Sequence, residues 1–468
     1  MSKNKFELHE ERLGTTDELG HRIFLFPEEV KGFWRKRRSL FYWFLIAIYL
    51  ILPWIYIGGK QSIKLDIANR EFTFFSYSFF ASNAPLLLFL FLGFVFTIGF
   101  ITSIWGRVWC GWACPQTVFI DTIYRKIEIL VEGNPRQRQK LDEAKWDFEK
   151  IWKRSLKWFL FTVVSLHISH TFLGYFVGTH ELLAISLQSP MAHKTLFFAM
   201  LIITTIFLLD FGWFREQFCI IACPYGRFQS VMMDENTMTV VYDEKRGEPR
   251  RQPGMKKEEH ADCVNCYACV KACPTGIDIR RGMQLECIAC TNCIDACDDI
   301  MEKTNRPKGL VRYDSLANIE GNKAKILRPR NMVYLSAIVV IIIGLIYSLN
   351  ISTDMNVTIL KGLGTPYTVM HNEEGQILNH FQITLDQSGE LKDREVEIDV
   401  LEKENLGIDL KVPRNPYLLK KNHARVNVFL KFKKEILEKG SKKIKFKVKD
   451  LSNNKEIIRE VSIVGPIN

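Results

Sequence analysis

Five stretches of this chain are each about 20 residues long and nearly free of charge, the length a helix needs to cross the hydrocarbon core of a bilayer. They lie at about 39–58, 83–104, 155–177, 192–213 and 331–350. In lipid every backbone polar group must be satisfied internally, so such stretches are expected to be helices. The second is the cleanest, with no charge from Pro85 to Ile104. The third carries His167 and His170, and the fourth ends at Asp210. The predicted frame is a helical bundle of about five spans.

Charge between the stretches predicts how they are oriented. Arg35, Lys36, Arg37 and Arg38 precede the first. A basic connector, including Arg107, Arg125, Lys126, Arg136, Arg138, Lys140, Lys145, Lys150, Lys153 and Arg154, joins the second to the third. The connector at 59–82 has only Lys60, Lys64 and Arg70, and the one at 178–191 has no Lys or Arg. Cations gather on the cytoplasmic side, so an odd number of spans is expected to leave the N-terminus inside and the C-terminus outside. Segment 1–38 is polar and charged, and no small-residue cleavage site follows the first apolar run; that run is expected to be retained as a span. The formal net charge of +11 is spread over membrane-flanking connectors, which argues against a nucleic-acid partner and for contact with lipid.

Twelve cysteines fall between Cys110 and Cys297, and none follows. That distribution and its spacings indicate metal ligation rather than a secreted disulfide scaffold. Cys263-x2-Cys266-x2-Cys269-x3-Cys273-Pro274 is followed by Cys287-x2-Cys290-x2-Cys293-x3-Cys297. Three thiolates two residues apart wrap one face of a cubane, and the fourth ligand comes from the other run. This assigns Cys263, Cys266, Cys269 and Cys297 to one [4Fe–4S] cluster, and Cys273, Cys287, Cys290 and Cys293 to a second. Structural zinc is the alternative, but it favours paired CxxC motifs over triplets followed by x3-Cys-Pro. Asp298 stands where a proline often follows the last cysteine. The module is expected at about 255–305, within a cytoplasmic region 214–330.

One motif occurs twice. Trp109-Cys110-Gly-Trp-Ala-Cys114-Pro115 follows the second stretch, and Phe218-Cys219-Ile-Ile-Ala-Cys223-Pro224 follows the fourth. Each is aromatic-Cys-x-x-Ala-Cys-Pro. On a helix the two cysteines would share a face, about 5–6 Å apart at Cβ, beyond the ~3.8 Å of an unstrained disulfide. The prolines are expected to break or kink that helix. Pairs of soft thiolates favour Cu(I). Arg107 and Arg215, just upstream, are placed to lower thiol pKa values. The plain alternative is inert cysteines at helix ends. His167 and His170 are read as satisfied polar residues rather than ligands, and Asp121 and Asp210 are left without a role.

Segment 351–468 has a period of two: Val396, Ile398, Val400; Val426, Val428, Leu430, Phe432; Ile444, Phe446, Val448. Several such strands between Gly, Asn, Asp and Pro turns predict a β-sandwich of about 115 residues.

This order of features resembles the CcoG/FixG/RdxA family of bacterial cytochrome c oxidase accessory proteins, from about residue 20 onward. The Trp109–Pro115, Phe218–Pro224 and Cys263–Cys297 segments carry the resemblance. It implies an α-helical transmembrane bundle with an inserted α+β two-cluster ferredoxin-like module and a C-terminal, periplasmic immunoglobulin-like domain. It also implies an inner-membrane protein that helps assemble the cbb-type oxidase. Cys110, Cys114, Cys219 and Cys223 would bind copper and reduce Cu(II) to Cu(I). The clusters would supply electrons from a cytoplasmic donor, and oxidase subunits or copper chaperones would be partners. Two other readings stand beside this one. One is a quinone-linked electron conduit, since a lone CxxxCP is shared with quinol-dehydrogenase-type membrane ferredoxins. The other is an assembly scaffold with redox-sensing clusters.

Overall fold

A computed structural model describes residue 15 and residues 21–466, apart from 68–70, 76, 81–83, 257–258, 352–354, 363, 371–375, 388–392, 402, 420–422 and 439. Most of segment 1–20 and the connector cation Arg70 therefore lie outside the described residues. The chain divides into two compact units. The first comprises 1–52, 89–174 and 180–345; the second comprises 53–88, 175–179 and 346–468.

Among the described residues, four helices are long and apolar enough to cross a membrane: Leu86–Trp105, Phe148–Val177, Lys194–Phe214 and Pro329–Ser348. They correspond to helix α2 (Ala84–Trp105), α7 (Phe148–Val177), α9 (Lys194–Leu209, continued by a π-turn over Asp210–Phe214) and α15 (Pro329–Ile351). The first expected span departs from its predicted bounds of 39–58. Helix α1 runs Phe33–Ile51, starting early enough to include the four cations and stopping just before Pro53. The α-helix gives way there to a 3-10 turn over Leu52–Trp54, since Pro53 has no N–H to continue the helical hydrogen bonds. Charge in its first turns leaves α1 less apolar than the other four. It nevertheless lies along α7, with the Tyr49 hydroxyl donating to the Ile168 carbonyl at 2.8 Å.

Short helices follow α2: α3 (Val108–Trp112), α4 (Pro115–Phe119), α5 (Arg125–Glu132) and α6 (Pro135–Glu143), with a π-turn over Ile120–Tyr124. Helix α8 (Thr179–Ser186) follows α7, and α10 (Pro224–Met232) follows α9. A common apolar core joins α1, the α4 region, α7 and the end of α9, built on Tyr42, Ile46, Phe119, Tyr124, Phe161, Ile168 and Phe211.

The ferredoxin module contains α11 (Glu244–Gly247), α12 (Ala268–Lys271) and α13 (Asn292–Lys303). Two small strands at 56–57 and 60–61 (β1, β2) and a three-stranded sheet at 63–66, 71–74 and 77–80 (β3–β5) precede it, between α1 and α2. Strand β6 (Thr239–Tyr242) pairs antiparallel with β7 (Val311–Asp314) and closes the module like a clasp, Val240 opposite Tyr313. Helix α14 (Leu316–Glu320) leads on to α15.

The C-terminal domain is an immunoglobulin-like sandwich. One sheet contains β8 (Met355–Lys361), β9 (Thr368–Val369), β10 (Gln376–Gln387), β12 (Asp409–Lys411) and β14 (His423–Lys433), in the order β12-β14-β10-β8 with β9 also on β10. The other runs β13-β11-β15-β16, from β11 (Arg394–Val400), β13 (Tyr417–Leu419), β15 (Ser441–Asp450) and β16 (Lys455–Val464). Every apolar residue of the three period-two runs is buried in one core, where Phe381 meets Phe446 edge-on at 5.8 Å. Side chains of period two face one side of a strand, so the pattern and the burial have the same cause.

Candidate functional site

The ferredoxin module is built around two turns of the same shape. Asn265 and Tyr267 flank Cys266 at φ 55° and 59°, and Ala289 and Thr291 flank Cys290 at φ 52° and 63°. Left-handed backbone is costly for residues with a Cβ and persists where the surroundings enforce it. Here it coils each C-x2-C-x2-C run into an arc with its thiols turned inward. One cavity is lined by Cys263, Cys266, Cys269 and Cys297 with Tyr242, Met301 and Leu310. A second is lined by Cys273, Cys287, Cys290 and Cys293, shares Cys269 with the first, and has Val240, Ile277 and Ile279 in its walls. Four inward thiols with apolar walls are the donor set of a [4Fe–4S] cubane. Among the described residues, no three His, Cys, Asp or Glu side chains converge on a single metal ion. A cubane, with its irons at separate corners, holds its thiolates farther apart than one ion does. The residues fit two clusters.

The two cavities differ in access. Cys266 is exposed, whereas Cys290 is buried. Tyr267, beside Cys266, is exposed and carries the Arg280 guanidinium over its ring at 4.2 Å. Asp298, in the place of the frequent proline, accepts the Gly309 backbone N–H at 2.8 Å and so ties α13 to the strand that closes the module.

The repeated CxxxCP motifs share a geometry. Cys114 and Cys223 are both extended, at φ −65° and −73°, and each is followed by a proline at the first position of a new helix. Proline is tolerated there because its missing N–H would have no partner in the helix. The helix therefore ends at each second cysteine, and the pair does not lie along one continuous helical face. Cys110 sits on α3, and Cys219 on a π-turn over Phe218–Ala222. The fold brings the two motifs together: Cys110 and Cys219 each lie within electrostatic reach of Cys114 and Cys223, and Cys219 also of Cys110.

Charge at this quartet differs from the sequence expectation. Burial pushes the Cys110 thiol up to about 12, neighbouring Cys114 adds to the rise, and Arg107 offsets only part of it. Burial also pushes Cys219 up, helped by the other thiols. Arg215 does not serve Cys219. Its guanidinium closes on Glu128, at 2.5 and 3.1 Å. The Cys110 thiol donates to Gln229 Oε1 at 3.2 Å, and Tyr225 packs beside it.

Module and quartet meet through backbone. Cys110 packs in one small cluster with Ile288 and Cys290. A Cβ on Gly111 would stand 2.5 Å from the Ile288 carbonyl oxygen and 2.7 Å from that of Ala289. Arg38, nearly fully buried, donates to the Cys290 carbonyl and, at 2.7 Å, to Asn292 Oδ1. Arg107 reaches the Cys287 and Gly226 carbonyls. Tyr42 donates to the Gly111 carbonyl, and Tyr313 of β7 to that of Trp105. The end of α2 is capped the same way: Met238 N–H donates to Ile104 at 2.9 Å, and Thr237 and Arg328 to Ser103 at 3.0 and 2.6 Å. These bonds satisfy carbonyls that the end of a helix leaves without partners. A cavity of about 20 Å³, room for one water, lies between Cys219 and Cys290, bordered by Arg38, Asp121, Arg125 and Glu216.

Two buried charge groups were not foreseen as parts of the site. Asp121 takes Arg35, Arg38 and Arg125. Burial alone would raise its pKa, but the three guanidiniums outweigh that and hold it at about 2. Glu128 takes Arg215, Arg138 and Lys157, which likewise overcome burial and hold it at about 2. Arg35 and Arg38, read from sequence as topology anchors, are thus also packing elements. Asp210 accepts from Gln116 at 3.0 Å. His167 and His170 join no metal-ligand group among the described residues, and His170 meets Ser186 at 3.2 Å.

Comparison with known proteins agrees with this architecture. Residues 214–316 match a 4Fe-4S dicluster domain, 84–133 a 4Fe-4S binding domain, and 345–466 the immunoglobulin-like fold at the C-terminus of FixG. Protein RdxB of Cereibacter sphaeroides is 38% identical over 80% of this chain and 81% of its own. Protein RdxA of the same organism is 36% identical over 63% of each. The nitrogen fixation protein FixG of Rhizobium meliloti is 31% identical over 77% of this chain and 76% of its own.

Proposed function

The chain belongs to the FixG/RdxA family of membrane-bound ferredoxin-type proteins, and we propose that within it this protein is a cupric reductase of the inner membrane. Its coarser role, electron transfer by a membrane iron–sulfur protein, follows from the dicluster domain and the membrane-spanning helices. The observation that carries the finer reading is that Cys110, Cys114, Cys219 and Cys223 come within electrostatic reach of one another, with Cys110 packed against Cys290. Four soft sulfurs on two motifs favour Cu(I) over harder ions. Copper here is substrate, not resident cofactor.

Cys263, Cys266, Cys269 and Cys297 would hold one cluster, and Cys273, Cys287, Cys290 and Cys293 the other. When bound, the clusters supply one-electron storage and transfer. The chain's own part is positional. Arg38 and Arg107 hold the module's backbone, Tyr42 holds that of Gly111, and the helix breaks at Cys114 and Cys223 turn two motifs toward one place.

The positive flanks of the spans support a cytoplasmic N-terminus and module. The course of α1 along α7 supports a fifth crossing and a periplasmic β-domain. A cytoplasmic electron donor, copper supply to a cbb-type oxidase, and contacts with oxidase subunits or copper chaperones complete the proposal. The test uses protein purified anaerobically with both clusters reduced. Cu(II) is added and Cu(I) is captured by a chelator, with a Cys110→Ser/Cys219→Ser variant alongside. Copper reduction that survives in the variant, its cluster spectra intact, removes the site.

A further inference from the structure

Two cavities hold the eight module cysteines, and among the described residues it is the second that packs against the CxxxCP quartet. Cys290, from the second cavity, shares a packed cluster with Cys110. None of the cysteines assigned to the first cluster joins that group. The contact is made by backbone on both sides. The carbonyl oxygens of Ile288 and Ala289 lie where a side chain on residue 111 would begin. Backbone atoms cannot swing aside as the end of a flexible side chain can. Glycine here is a condition of close approach, and it needs no unusual φ to justify it. One hydrogen bond crosses between the two surfaces, Arg107 to the Cys287 carbonyl, and α1 holds both, with Arg38 on the Cys290 carbonyl and Tyr42 on that of Gly111. In the other cavity, Cys266 is exposed.

We propose that electrons leave the module only at the Cys290–Cys110 contact, that Gly111 is the positioning residue that keeps this contact close, and that the exposed Cys266 side is where they enter. The inference rests on the copper-reductase reading and gives the path a direction. For each electron passed, one reduced cluster returns to its oxidised level and one Cu(II) becomes Cu(I), with no covalent bond formed or broken. The entering electron comes from a low-potential one-electron carrier.

The test compares the native chain with Gly111→Ala, each with both clusters loaded and iron content measured. Cu(I) is first bound anaerobically, its affinity read by chelator competition, and the spectra of the reduced clusters are recorded by electron paramagnetic resonance. In the native chain Cu(I) is expected to shift the signal of one cluster only. A Cys290→Ser variant, whose altered ligand marks the second cluster, identifies which. In Gly111→Ala the cluster signals and Cu(I) affinity are expected to stay native, while the Cu(I)-induced shift shrinks. Single-turnover reoxidation by Cu(II) should slow severalfold, because a Cβ 2.5 Å from the Ile288 carbonyl oxygen forces the contact apart. If Gly111→Ala fails to assemble its clusters, the native-chain shift and its Cys290→Ser label decide alone. A shift of the other cluster, or of both equally, overturns the proposal. Native-rate reoxidation in an assembled Gly111→Ala also overturns it while leaving the copper reading intact. Failure of the native chain itself to bind Cu(I) or reduce Cu(II) removes the copper reading instead.

Discussion

The Asp295 carboxylate accepts the backbone N–H of Arg35 at 2.7 Å and that of Trp34 at 3.2 Å, so a residue of the ferredoxin module caps the first long helix of the chain. A carboxylate is well matched to the partial positive charge of a helix N-terminus. Gly32 precedes the helix, and a Cβ there would collide with the Asp295 side chain. Asp295→Ala should cost about 0.5–2 kcal/mol, the usual loss on removing a cap. Thermal unfolding in detergent, followed at the cluster absorbance, measures it. An unchanged midpoint would show that α1 does not depend on this contact.

The Glu128 group makes a stronger prediction. Removing one partner of a buried ion group leaves uncompensated charge and costs about 3–5 kcal/mol. Glu128→Gln takes the carboxylate away from Arg215 and Arg138, while Lys157 keeps Glu132 at 2.8 Å. A marked fall in the unfolding midpoint is expected, larger than that of Asp295→Ala. An equal or smaller fall would contradict the burial and pairing described.

Acid should act on the same groups. Glu128 is held at about 2, below its ordinary 4.5, and Asp121 at about 2, below its ordinary 3.8. A carboxyl whose folded pKa is depressed stabilises fully above its unfolded pKa and loses that contribution as pH falls through the folded value. Stability should therefore decline from about pH 4.5 toward 2, and Glu128→Gln should flatten part of that slope. The check is an unfolding midpoint measured across this range for both proteins.

Much of this architecture was legible because periodicity and spacing report on it directly. The period-two runs of the β-domain gave its buried face residue by residue, from Val396 to Val448. The cysteine triplets gave the arcs. Charge reads as the end of a span and so places the start of α1 about six residues late, yet Arg38 is buried against Asp121 and Arg35 lies half-buried beside it. The role of Arg215 was misread because sequence distance favoured Cys219, and only the fold brings Glu128 closer. Gly111 and Asp295 carried no signal at all. Their partners are 177 and 260 positions away in sequence for Ile288 and Arg35, and contacts of that kind are set by tertiary packing.

Removal of iron should loosen one region only. Six of the eight module cysteines pack in the same core as Val240, Ile279 and Leu310, so the metal is part of that core's folding energy. Apo protein should be cut faster by protease within 250–310, with Cys266 alkylated ahead of the others. The β-domain has its own core and should retain its transition. There Phe446→Ala should cost about 3–5 kcal/mol without altering cluster spectra. Loss of the β-domain transition together with the iron would contradict two separate cores.

The central claim is that the four CxxxCP thiols receive electrons from the module and pass them to copper. Stopped-flow mixing of the fully reduced, anaerobic protein with Cu(II) tests it most directly. The account predicts recovery of the oxidised-cluster absorbance in step with Cu(I) formation, one Cu(I) per cluster reoxidised, and loss of both in Cys110→Ser/Cys219→Ser. Clusters that remain reduced in the presence of Cu(II), yet are reoxidised at once by a quinone, would contradict it.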